Sequence, residues 1–253
     1  MLSLNPAFKN PALSSPRLLV SVRNVEEAAA AIQGGCDILD IKEPRRGSLG
    51  MADPSVLRRI TEFVKDGFPE ILVTAALGEA HEYQRDSKFE LPTGLGLVKL
   101  GCAQLGNVPN WRHQLRAIRQ KVSHDLSNET GWVAVAYADW ELAKCPRPAD
   151  VIDEALAAKC RGVLIDTYTK SGRGLLDWMT VAGLHRMADQ LHAAGLFLAL
   201  AGSLKRGDLD RLQAVPADII AVRGAVCRGG QRADAIDESL VRELRTAIRG
   251  MIP

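Results

Sequence analysis

The chemical question starts at the end of one short apolar run. In Asp37-Ile38-Leu39-Asp40-Ile41-Lys42, an aspartate and a lysine stand two residues apart. Side chains two apart on a strand share a face. Ile38, Asp40 and Lys42 therefore lie together, and Leu39 and Ile41 lie opposite. In Leu97-Val98-Lys99-Leu100-Gly101, Lys99 shares its face with Leu97, and in Gly162-Val163-Leu164-Ile165-Asp166, Asp166 shares its face with Leu164. Lys170 comes four residues past Asp166, and Asp139 directly follows the apolar run Val133–Ala138. Buried charges without partners are costly, so these groups must gather if their strands share an interior. Partial burial and neighbouring cations lower a lysine's pKa. A neutral lysine amine attacks a carbonyl and forms a Schiff base, and a nearby carboxylate or second lysine moves protons as general acid or base. The other reading of the same set is a group of salt bridges capping a core.

Bringing these side chains together requires parallel strands with their ends at one mouth. Strands are expected at Leu18–Val22, Asp37–Ile41, Ile71–Ala76, Leu97–Leu100, Val133–Ala138, Gly162–Ile165, Phe197–Ala201 and Asp218–Val222. Amphipathic stretches follow: Asn24 caps a helix over 25–33 that Gly34-Gly35 stop, and Asp53-Pro54 opens another. Further helical patterns lie near 110–125, 148–158, 177–193, 205–214 and 236–249. Alternating strands and helices imply βαβ units and a parallel sheet. An open doubly wound sheet would normally carry a glycine-rich turn after its first strand, whereas Ser21-Val22-Arg23-Asn24 has no glycine. Eight units favour a single (β/α)8 TIM barrel, whose active site lies at the C-terminal ends of the strands. The third helical segment is irregular: residues 79–96 are polar and lack an apolar stripe, as in a surface connection or a flap with a short helix. Residues 1–17 read as a flexible N-terminal arm, and 18–253 as the catalytic barrel.

Composition excludes several classes. The chain has 253 residues, 47% hydrophobic and 25% charged, which fits a globular protein. A net charge of +2 gives no footprint for nucleic acid. No apolar run is long enough to span a membrane, and the start has no signal-peptide core. The expected location is the cytoplasm. Five scattered cysteines without a CxxC pair suggest reduced thiols and no zinc site. His81, His113, His124, His185 and His192 form no HxxxH or HExxH pattern. Neither a metal nor another cofactor is expected.

Several loops suit phosphate. Gly202-Ser203 follows the seventh strand and Arg223-Gly224-Ala225 the eighth, the two loops that commonly hold phosphate in this barrel. Lys205 could add charge. Arg45-Arg46-Gly47-Ser48-Leu49-Gly50 suits a second anion through Arg45 and Ser48. Cys227-Arg228-Gly229-Gly230 is similar in character. Two anion sites flanking an amine suggest two phosphorylated carbonyl substrates or one bisphosphate.

The segments LLVSVRNVEEA (18–28), GGCDILDIKEPRRGSLG (34–50), LIDTYTKSG (164–172), LALAGSL (198–204) and AVRGAVCRGG (221–230) resemble the (5-formylfuran-3-yl)methyl phosphate synthase family. The likeness runs from about Leu18 to the C-terminus. The resemblance implies a (β/α)8 barrel that condenses two molecules of glyceraldehyde 3-phosphate, with loss of one phosphate and two waters, to give the furan precursor of methanofuran. It implies that Lys42 is the Schiff-base lysine, with Asp40 before it. The D-T-x-x-K motif falls on Asp166 and Lys170, a fourth-strand lysine on Lys99, and the aspartate of a Tyr-Ala-Asp motif on Asp139. Partners are then small triose phosphates, with homo-oligomerisation open and a host that is either methanogenic or C1-oxidising. A class I aldolase or isomerase, or a non-catalytic barrel that binds a phosphometabolite, remain the alternatives.

Overall fold

The structure is a computed structural model that describes residues 15–83, 90–170 and 172–251. Eight parallel strands pair in chain order and close into a barrel, with the last strand returning to the first. They are β1 (Arg17–Val22), β2 (Ile38–Ile41), β3 (Leu72–Glu79), β4 (Leu97–Gly101), β5 (Gly131–Tyr137), β6 (Gly162–Asp166), β7 (Phe197–Leu200) and β8 (Ile219–Val222). The apolar face of each strand meets the helices: Leu39, Ile41, Val98, Leu100, Val163 and Ile165 are buried in that layer. A fully buried side chain of this kind contributes about 1.5–3 kcal/mol. β1 begins at Arg17, one residue earlier than the pattern indicated. Of the N-terminal arm, residues 1–14 lie outside the described part.

Among the described residues, seven α-helices pack outside the barrel: α1 (Val25–Gln33), α2 (Pro54–Gly67), α3 (Trp111–Ser123), α4 (Pro148–Ala157), α5 (Val181–Ala193), α6 (Leu209–Leu212) and α7 (Glu238–Arg249). Asn24 caps α1 by accepting the Glu27 N–H at 2.8 Å. Asp53 occupies the cap position of α2 but makes no side-chain cap bond; it pairs with Arg46 at 2.8 Å, and Pro54 sets the first turn. The expected helix over 177–193 starts later, at Val181, because Thr180 caps it through the Gly183 N–H. The stretch 205–214 yields only a 3-10 turn and the four-residue α6.

The irregular third segment has a structural cause. β3 runs past Ala76 to Glu79, and its register with β4 shifts between those residues. Gly78 takes the left-handed φ of 80° there, and its N–H donates to the Leu49 carbonyl at 2.8 Å. A 3-10 turn over Ala80–Glu82 follows, and the described residues between β3 and β4 contain no α-helix. Residues 84–89 of that segment lie outside the described part. All five cysteines are buried and free. No helix among the described residues is long and apolar enough to cross a membrane.

Candidate active site

Register builds the floor of the site. Ser21 on β1 stands beside Asp40 on β2, and Asp40 beside Thr74 on β3. All three point into the barrel. Asp40 accepts from Ser21 Oγ at 3.2 Å and from Thr74 Oγ1 at 2.8 Å. Lys99, from β4, closes an ion pair with Asp40 and donates to Thr74 Oγ1 at 3.0 Å. Asp40 and Lys99 are each no more than 4% exposed, so the pair satisfies two charges that burial alone would make very costly.

Above this floor Lys42 and Asp166 face a cavity of about 530 Å³. Asp166 accepts from Lys170 Nζ at 2.9 Å, from Ser48 Oγ at 3.0 Å and from the Thr167 N–H at 2.7 Å. Burial pushes the Asp166 carboxyl up, but Lys170 and Lys42 outweigh it and hold the group below its ordinary value. Lys170 is further held by the Thr167 carbonyl at 2.6 Å. Lys42 differs from both other lysines. Its Nζ has one hydrogen-bond partner among the described residues, the Ser48 carbonyl at 3.5 Å, and no carboxylate at ion-pair distance. Burial lowers its pKa to about 8, against the opposing pull of Asp166 and Asp40. A desolvated amine of this kind is a competent nucleophile near neutral pH.

The phosphate loops divide. Gly202, Ser203, Gly224 and Ala225 line the same cavity as Asp40, Lys42, Lys99, Asp166 and Lys170. Gly202 has φ 98°, and a Cβ there would stand 3.0 Å from Thr167, so only glycine lets this loop close on the β6 loop. Arg223 also borders the cavity, but its guanidinium is taken up by Glu27 at 2.8 Å and by the Ser21 carbonyl at 2.8 Å. Arg45 is exposed and lies outside the cavity wall. Ser48 is buried and ties the β2 loop to Asp166 and to the Thr167 carbonyl. Arg228 pairs with Asp237 at 3.5 Å, on the α7 side. Asp139 also lies outside the cavity wall. It accepts the N–H groups of Tyr168 and Thr169 at 2.7 and 2.8 Å and the Thr169 hydroxyl at 2.6 Å, and so fixes the loop that carries Lys170.

Three residues of the site escape a reading of the sequence. Ser21 and Thr74 look like ordinary strand residues until register sets them beside Asp40. Arg232 sits in a polar stretch with no motif, yet it lines the cavity and its Nη2 donates to the Pro44 and Gly47 carbonyls, both at 2.8 Å. Among the described residues, no cluster of three or more His, Cys, Asp or Glu side chains could hold a metal.

The sequence profile of 4-HFC-P synthase matches residues 18–245, which spans all but the first residue of β1 and the last turn of α7 and takes in every residue that lines this cavity. The chain belongs to the 4-HFC-P synthase family. Curated relatives agree. The (5-formylfuran-3-yl)methyl phosphate synthase of Methanopyrus kandleri is 34% identical over 238 residues, covering 92% of this chain and 99% of its own. That of Methanocaldococcus jannaschii is 34% identical over 233 residues, covering 90% and 97%. Solved structures share the fold at low identity. A thiamine phosphate pyrophosphorylase from Pyrococcus furiosus superposes with a TM-score of 0.57 at 11% identity, covering 96% of this chain and 100% of that one. A 3-hexulose-6-phosphate synthase gives 0.53 at 18% identity, covering 92% and 99%. Both likenesses speak to the barrel alone.

Proposed function

We propose that this member of the family condenses two molecules of glyceraldehyde 3-phosphate into (5-formylfuran-3-yl)methyl phosphate through an imine on Lys42. One observation carries the reading. Of the four lysines that line the cavity, Lys99 and Lys170 are neutralised by Asp40 and Asp166, Lys205 is exposed on the loop after β7, and Lys42 alone is both desolvated and without a carboxylate. Its amine attacks the aldehyde of the first triose, and water leaves as the imine forms. Loss of a proton from the adjacent carbon gives the enamine. The enamine expels its phosphate and leaves an enol, whose terminal carbon attacks the carbonyl of the second triose, taken as its ketone isomer, to make the new C–C bond. A hydroxyl of that second unit closes on the neighbouring carbonyl, two waters leave, and hydrolysis of the imine frees the formyl group and Lys42. Two C3 units thus give one C6 furan phosphate, one inorganic phosphate and two waters, with no net oxidation or reduction.

Asp166 with Lys170, and Asp40 with Lys99, are the proton-transfer pairs on this reading. Gly202-Ser203 and Gly224-Ala225 hold substrate phosphate through backbone N–H groups. The enzyme is then a carbon–oxygen lyase that eliminates phosphate, and its product enters methanofuran biosynthesis. It works in the cytoplasm, where charged triose phosphates are retained. Its partners are those small molecules, with no nucleic acid or membrane involved.

The test is product analysis with glyceraldehyde 3-phosphate as sole substrate, alongside borohydride reduction and peptide mapping. The expected result is an ultraviolet-absorbing furan aldehyde, one phosphate released per furan, and a mass adduct on Lys42. A reversible aldol product without phosphate release would replace this reading with that of a class I aldolase.

A further inference from the structure

Behind β8 and α1 lies a charged cluster that the reaction above does not use. Glu27 is buried, and two arginines close on it. Arg223 donates to it at 2.8 and 3.1 Å, and Arg23 at 2.5 and 2.9 Å. Apart from the bond from Arg223 to the Ser21 carbonyl, the remaining donors of both arginines go to the backbone of a single segment. Arg223 Nε holds the Arg232 carbonyl at 2.6 Å and its Nη2 the Asp234 carbonyl at 3.1 Å. Arg23 holds the Ala233 carbonyl at 2.6 Å and Asp234 at 3.2 Å. Three consecutive carbonyls are thus fixed by one buried carboxylate and its two guanidiniums. The side chain that this segment delivers to the cavity is Arg232.

Arg232 Nη2 is anchored to the Pro44 and Gly47 carbonyls. Its other two nitrogens make no hydrogen bond among the described residues. Its charge also bears on the nucleophile, being one of the cations that lower the Lys42 amine below its ordinary value. The position is distinct from that of Gly202-Ser203. Gly202 packs against Thr167, between the β6 and β7 ends, whereas Arg232 bridges from the β8 loop to the β2 loop.

We propose that Arg232 heads a second phosphate site at the cavity mouth, between the β8 and β2 loops, and selects a phosphorylated second substrate. A guanidinium with an anchored side and an open side suits a phosphate dianion. Its identification with a triose phosphate rests on the function proposed above; the anion site itself does not.

Calorimetric titration with glycerol 3-phosphate, which has no carbonyl and cannot form an imine, tests the site apart from catalysis. Wild type should bind two equivalents. Arg232→Gln should keep one site unchanged and weaken the other by about 10- to 100-fold, with Arg232→Lys in between. A parallel titration with inorganic phosphate separates the sources of the ligand. Loss confined to inorganic phosphate assigns the site to the released ion, and loss with both probes assigns it to the ester. Isotherms identical to wild type with both probes would overturn the proposal. So would a single site in wild type, or equal loss of both sites together with a lower melting temperature, which would make Arg232 a structural latch. If glyceraldehyde 3-phosphate yields no furan, the reaction is wrong while these titrations still decide the anion site.

Discussion

Around Glu27, two guanidiniums close on one carboxylate; around Lys42, three lysines meet two aspartates. Both regions bury charge at the same end of the barrel. In the first, the bonds lie between 2.5 and 3.1 Å, and Arg223 and Arg23 overcome burial to hold the Glu27 carboxyl below its usual range. In the second, Asp40 takes Lys99 and Asp166 takes Lys170, which leaves the Lys42 amine over. Neutralised charge makes a scaffold, and uncompensated charge makes a reactive group. The comparison also fixes which groups should cost stability and which should supply it.

The largest effect expected is on chemistry. Lys42→Met should lower furan formation at least about 1,000-fold, since Lys99 and Lys170 are held by carboxylates and Lys205 is exposed to solvent. The same variant should be more stable than wild type, by about 1–3 kcal/mol at pH 7 in chemical denaturation. The sign follows from the lowered folded pKa of about 8. The cost of Lys42 is fully present below that value and is relieved as pH rises toward the unfolded value of about 10.4. The gap between the variant and wild type should therefore close over that interval.

Glu27→Ala should behave in the opposite way. It leaves the buried Arg223 and the half-buried Arg23 uncompensated and should cost about 3–5 kcal/mol. Wild type gains from Glu27 above the unfolded glutamate pKa and loses that gain as pH falls through the lowered folded value. Urea titrations of wild type and variant at neutral and acidic pH should show the two curves converging in acid.

Smaller in size is the pH dependence of turnover. On the proposed mechanism imine formation needs the neutral Lys42 amine, so kcat/KM should rise about tenfold per pH unit below 8 and level off near that value. A profile flat across that range would remove Lys42 from the nucleophile's role.

The smallest effect separates positioning from chemistry. Asp139→Asn keeps one acceptor oxygen for the Tyr168 and Thr169 N–H groups and should cost about 1–2 kcal/mol. Turnover should fall less than tenfold with the pH profile unmoved, because Asp139 holds the Lys170 loop and does not reach the cavity.

Much of this was legible beforehand for a simple reason. Two-residue periodicity and the inner-face rule are local, so Asp40, Lys42, Lys99 and Asp166 could be sorted to the interior from the strings that hold them. Helix ends marked by Asn24 and Pro54 were local too. The arginines were not. A guanidinium reaches several ångströms from its own backbone, and the partner that claims it is chosen across the chain. Arg223 sits in the right loop for phosphate, but Glu27, 196 residues away, takes it. Arg45 sits beside Lys42 in sequence and turns to solvent. Arg232 has no motif and lines the cavity.

The amino-acid sequence by itself determined the eight strands, the closed parallel barrel and the identities of the charges at its mouth, because hydrophobic periodicity and βαβ handedness act over short stretches. Only the tertiary structure decided how those charges pair. Register set Ser21, Asp40 and Thr74 at one level, Lys99 and Lys170 were drawn to the two aspartates, and Lys42 was left without one. Pairing depends on distances of a few ångströms between residues tens of positions apart, and closure of the barrel is what fixes those distances.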